Sequence, residues 1–149
     1  MKLLGGAGVF VLLVLVFTGA ARADDYTFAG QWRQTVSTAG RCDDCYIGIV
    51  MHGEVLTVTS NNGWEAVLNI QSLVGRDFAV GTGHWKATVG GAYGGKHFDI
   101  QLVRSGANLQ MFMVVSQEKG APISLRATFE KGRPLKNSRY VSPVEIYWI

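Results

Sequence analysis

From residue 28 onward the chain alternates apolar and polar residues in short runs, broken by glycine, asparagine and serine. Period-two alternation over four to eight residues marks half-buried β-strands. Eight runs qualify: Phe28 to Val36, Cys45 to His52, Glu54 to Ser60, Trp64 to Ile70, Phe78 to Val89, His97 to Arg104, Asn108 to Val115 and Ile123 to Glu130. None carries sustained helical periodicity. The pattern predicts an all-β protein. A meander of this length removes its exposed edges most simply by closing, so the expected architecture is an antiparallel up-and-down β-barrel of about eight strands.

Turn chemistry assigns the faces. His52-Gly53 suits a two-residue hairpin loop, setting Ile49 opposite Leu56 and Ile47 opposite Val58. Asn61-Asn62-Gly63 allows a two- or a three-residue loop. Only the longer one, with Gly63 at positive φ, pairs Leu56 with Leu68 and Val58 with Ala66 and keeps one face apolar. Pairing Trp85 with Ile100 and Ala87 with Phe98 places Lys86 opposite Asp99 on the other face. A Ser105-Gly106 turn sets Leu102 against Leu109, Ile100 against Met111 and Phe98 against Met113. The last strand contributes Ile123, Leu125, Ala127 and Phe129. The predicted interior holds Trp32, Trp64, Trp85, Phe98, Met111, Met113 and Phe129. The predicted exterior holds Thr57, Thr59, Glu65, Asn69, His84, Lys86, His97, Asp99 and Gln101. A polar outer face is the reverse of an outer-membrane barrel.

The N-terminus reads differently. Lys2 precedes an apolar stretch from Leu3 to Ala21, and Ala21-Arg22-Ala23 offers small residues where a signal peptidase reads. Residues 1–23 are expected to be a secretory signal and residues 24–149 a single barrel domain. An uncleaved anchor is the alternative, since the stretch approaches spanning length. With no cysteine before Cys42, lipidation of an N-terminal cysteine is excluded. The full chain has 14 Lys+Arg against 11 Asp+Glu. Lys2 and Arg22 leave with the leader, lowering the formal net charge from +3 to +1. The case for a nucleic-acid partner goes with them. The expected location is periplasmic or secreted, with no stable membrane insertion after cleavage.

Phe28-Ala29-Gly30-Gln31-Trp32 resembles the F-x-G-x-W opening of lipocalins, and its G-x-W core resembles avidins. Ala29-Gly30-Gln31-Trp32 is also similar to the early A-G-x-W of bacterial exported metalloprotease inhibitors. All are small calycin-type barrels, and the resemblance implies that shape. It also implies that Trp32 packs at the closed barrel end beneath a late basic residue, with Arg126 or Arg104 as candidates.

The one chemistry-like motif is Cys42-Asp43-Asp44-Cys45. A c-type haem needs His at position 46, where Tyr46 stands. A structural zinc site needs a second ligand pair. A thioredoxin-like pair sits at a helix start, without carboxylates that disfavour thiolate. A structural disulfide in an oxidising compartment is expected, pinning the loop between the first two strands. His84 and His97 are expected on the outer face two rungs apart, and His52 in a distant turn, with no metal site and no cofactor. Gly90-Gly91-Ala92-Tyr93-Gly94-Gly95 lacks the helix and basic residue of a phosphate loop and reads as a hairpin loop. No nucleophile–base or metal motif is present, so no enzyme is expected. The tail from Lys131 mixes Arg133, Lys136 and Arg139 with Tyr140, Tyr147 and Trp148, and is expected to pack back on the barrel.

Two functions follow from the architecture. The first is binding of a small apolar ligand in the open end, against Trp64, Trp85, Phe98, Met111 and Met113. The second is a protein-binding module, such as an inhibitor of an exported hydrolase. The volume left inside the barrel discriminates between them.

Overall fold

Eight antiparallel strands close into one up-and-down barrel in the computed structural model, which describes residues 27–73 and 76–132. The expected signal segment, residues 1–23, and the tail beyond Gly132 lie outside the described residues. The strands are β1 (Gly30–Ser37), β2 (Tyr46–His52), β3 (Val55–Ser60), β4 (Trp64–Leu73), β5 (Arg76–Trp85), β6 (His97–Ser105), β7 (Asn108–Val115) and β8 (Ile123–Lys131). Each pairs with the next, and β1 pairs with β8 to close the ring, with an irregularity between Gln34 and Val36. One 3-10 turn, Gly91–Tyr93, interrupts the connection from β5 to β6.

Burial follows the predicted alternation. Trp32, Trp64, Trp85, Phe98, Met111, Met113 and Phe129 all lie in one buried cluster. Ile123, at the start of β8, and Ala87, beyond the end of β5, are exceptions: both are exposed. The three-residue loop at Asn61-Asn62-Gly63 forms as expected, with Leu56 paired to Leu68, Val58 to Ala66, and Gly63 at φ 97°.

Two other hairpins are shifted by two residues. His52 pairs with Val55, so the loop is 53–54, and Ile49 faces Val58 while Met51 faces Leu56. Ser105 pairs with Asn108, so the loop is 106–107, Ile100 faces Met113 and Leu102 faces Met111. The cause is the same in both. Gly53 (φ 61°) and Gly106 (φ 59°) take the first central position of the turn, and among the described residues none other than glycine has positive φ. That is the II′ pattern, which asks positive φ only of the first position. The predicted loops put His52 and Ser105 there. A shift of two leaves every side chain on its predicted face.

The β5–β6 pair departs further. β5 ends at Trp85 instead of running to Val89, and Phe98 faces Gly83, Ile100 faces Gly81 and Leu102 faces Ala79. Asp99 lies between Thr82 and Val114, so the predicted Lys86–Asp99 pair is not formed. The reason is size matching. A Cβ at Gly83 would come within 2.5 Å of the Phe98 ring and collide with the Glu65 carbonyl oxygen. At Gly81 it would collide with the Val67 carbonyl. β5 thus offers Gly81 and Gly83 opposite the bulky Ile100 and Phe98 of β6, and β4 and β6 approach it closely.

The end holding the short turns is closed by the N-terminal segment. Trp32 Nε1 donates to the Phe28 carbonyl at 2.8 Å. The basic residue over Trp32 is Lys131, neither Arg104 nor Arg126: its ammonium is 4.6 Å from the ring centre and donates to the Thr27 and Ala29 carbonyls. Lys131 lies two residues beyond Phe129 on β8, and its β1 partner is Trp32 itself. Arg104 instead pairs with Asp77 at 2.8 Å, with its guanidinium 6.0 Å from the Phe28 ring centre. Arg126 lies over Phe112 at 5.6 Å.

Candidate functional site

The two barrel ends differ in loop length. One end carries the tight turns at 53–54 and 106–107. The other carries the connections 38–45, 61–63, 86–96 and 116–122. Loops held by a rigid scaffold are where binding groups concentrate, so the long-loop end is the candidate site.

Local chemistry fixes these loops. Cys42 and Cys45 form a disulfide with their Cα atoms 5.4 Å apart, and Cys45 is buried. A disulfide fits an oxidising compartment. Arg41 donates to Asp43 at 2.8 Å on the exposed side of the same loop. Asn61 ties this loop to its neighbour: its Oδ1 accepts from the Tyr46 backbone N–H at 2.9 Å, and its Nδ2 donates to the Asp44 carbonyl at 2.7 Å. The connection 86–96 folds inward. Tyr93 stacks on Trp85 with ring centres 4.9 Å apart. Val89 covers Gly63, where a Cβ would lie 2.5 Å from Val89 Cγ1. Lys86 N–H donates to the Gly63 carbonyl at 2.9 Å. Lys96 Nζ donates to Gln117 Oε1 at 2.8 Å, linking 86–96 to 116–122.

Of the five residues predicted to contact a ligand, four line one narrow crevice under these loops: Trp64, Trp85, Met111 and Met113. Phe98 is not among its walls. It packs behind them, edge-on to Trp64 at 5.8 Å and to Trp85 at 4.9 Å. The crevice holds about 30 Å³. That is space for about one or two waters, whereas pockets for drug-sized ligands measure about 300–1,000 Å³.

A larger cleft, about 480 Å³ and open to solvent, lies on the outside of the barrel. Gln31, Arg33, Asp43, Asp44, Tyr46 and Glu130 line it, and Arg33 approaches Glu130 at 3.9 Å. Sequence reading missed this cleft because it depends on how the disulfide loop lies beside β1 and β8. The outward parity of Arg33 and its polar neighbour positions was the available signal.

The histidines are also placed differently than predicted. His84 and His97 are direct cross-strand partners, with ring centres 5.9 Å apart. The four-residue change in β5–β6 register brings them together. Glu65 lies on the other side of His84, 3.4 Å from its Nε2. Among the described residues, no group of three or more His, Cys, Asp and Glu side chains is arranged to hold a metal ion, and no helix is long and apolar enough to cross a membrane.

Comparison with protein-family models, with curated proteins and with solved structures gives no match.

Proposed function

We propose that this chain is an exported calycin-like barrel that binds a protein partner through its long-loop end and performs no catalysis. The observation that carries this reading is the filled interior. Trp64, Trp85, Phe98, Met111 and Met113 occupy the space an apolar ligand would need, leaving a crevice of about 30 Å³. A filled small barrel is a scaffold for loops. The disulfide, the Asn61 bridge and the Trp85–Tyr93 stack each limit loop motion, which reduces the entropy lost when a partner docks. Export is supported by the leader and by the disulfide, and an inhibitor of an exported hydrolase is the kind of protein that fits both.

A second reading keeps the ligand. Four of the five predicted contact residues share the crevice, which opens between the connections 38–45 and 61–63. Two experiments separate the readings. Native mass spectrometry of the protein purified from its host should show a co-purified protein and no small molecule. An apolar dye should show no saturable binding. A stoichiometric small molecule, or dye binding weakened by Met111→Ala, would overturn the protein-binding reading. Charge reversals at the loop tips, Arg41→Glu and Lys119→Glu, should weaken capture of the partner, while Gln101→Glu on the barrel wall should not.

A further inference from the structure

The paired histidines have a geometry that the protein-binding reading does not use. An imidazole bound to Zn(II) keeps its nitrogen about 2.0–2.1 Å from the ion. Each ring centre then stands about 3.2 Å from the ion. Two such rings have centres about 5.2–6.4 Å apart for ligand angles from tetrahedral to linear. The observed 5.9 Å between His84 and His97, with planes tilted by 42°, falls inside that window.

Both rings stand on neighbouring strands of a closed barrel, so their backbone spacing is fixed before any ion arrives. The His84 side chain is 45% exposed and His97 is exposed, which gives an ion access. Glu65, directly across β4–β5 from His84, faces its Nε2 at 3.4 Å. A carboxylate at one ring nitrogen sets the tautomer and orients the ring, leaving Nδ1 as the ligating atom. Asp99, two positions from His97 on the same outer face, adds a further negative charge near the pair.

We infer that His84 and His97 form a two-imidazole chelate for a divalent first-row transition cation, Zn(II), Ni(II) or Cu(II), with Glu65 as the residue that positions His84. Imidazole selects these ions, whereas Mg²⁺ and Ca²⁺ take oxygen ligands. With two protein ligands, the remaining coordination positions face solvent.

The test is titration of the protein, purified without a histidine tag, with Zn²⁺ by calorimetry and with Cu²⁺ by electron paramagnetic resonance. One ion per chain should bind, and the Cu²⁺ spectrum should show two coordinating nitrogens. His84→Asn and His97→Asn should each weaken binding at least tenfold and remove one nitrogen. His52→Asn should change neither. Glu65→Gln should weaken binding by a smaller factor and keep both nitrogens. Thermal unfolding of each variant shows whether it remains folded. Absence of saturable binding, or unchanged affinity in either His84→Asn or His97→Asn, overturns the chelate. A loss in Glu65→Gln as large as in the histidine variants overturns its orienting role.

Discussion

Removing the Phe98 ring tests the filled interior directly. Phe98 is 2% exposed, and its ring meets Trp64, Trp85 and the bare Cα of Gly83. Truncating a packed Phe to Ala costs about 3–5 kcal/mol. Each of the two edge-on aromatic contacts is worth about 0.5–1.5 kcal/mol beyond its buried area. Phe98→Ala should therefore fall at the upper end, about 5 kcal/mol. With a urea m-value of about 2 kcal/mol/M, the unfolding midpoint should drop by about 2–3 M. Asp99→Ala is the control. Its side chain points outward, with no ion pair to it among the described residues, and the change should stay within about 0.5 kcal/mol. A double-mutant cycle sharpens the test. Gly83→Ala should cost about 3 kcal/mol, because its Cβ meets both the Phe98 ring and the Glu65 carbonyl. In the Phe98→Ala background the ring collision is gone and only the carbonyl collision remains. The cost should shrink by about 1–2 kcal/mol without vanishing. A Phe98→Ala loss below about 2 kcal/mol at unchanged m-value would refute the reasoning, since the ring would then already lack neighbours on one side.

Three further predictions probe the ends of the barrel. Lys131→Met should lower stability by about 1–3 kcal/mol, since it removes the ammonium above Trp32 and its bonds to the Thr27 and Ala29 carbonyls; chemical denaturation reads the loss, and Trp fluorescence should shift with it. Replacing Cys42 and Cys45 together by Ser should cost about 2 kcal/mol, the loop-closure value for so short a ring, and calorimetric melting should show a single, lower transition. Asn61→Ala should cost about 1–2 kcal/mol and speed hydrogen exchange at Tyr46, whose N–H loses its acceptor.

Fold class, strand number and the inward or outward parity of nearly every strand residue were legible in the chain, because burial of one face writes a period-two pattern. Registers were less legible. The loops at 53–54 and 106–107 show why: a two-residue slip preserves parity, so the pattern cannot detect it, and only the φ requirement of Gly53 and Gly106 decides. The partner of Trp32 was half legible. A late basic residue was expected, but Lys131 was chosen by where β1 meets β8, a contact between the first and last strands of the chain. The histidine pair was hidden for the same reason as the β5–β6 register, which rests on side-chain volumes across strands.

That register links the fold to its use. With Ala87 opposite Phe98, Gly81 and Gly83 would stand opposite Arg104 and Leu102, and the middle of the barrel would lack volume on one wall. The observed pairing places Ile100 and Phe98 over those two glycines, with Leu68 and Ala66 facing them from β4, so the missing side chains of β5 are replaced by its neighbours'. The same match that closes the cavity brings His84 opposite His97 on the outer face. A variant that loosened this match would therefore change two things together. It would open space inside, and it would shift the spacing of the histidines outside. Dye binding and Cu²⁺ affinity measured on Gly83→Ala should move in opposite directions, the first rising and the second falling. A change in only one of them would show that the interior packing and the histidine spacing are set independently.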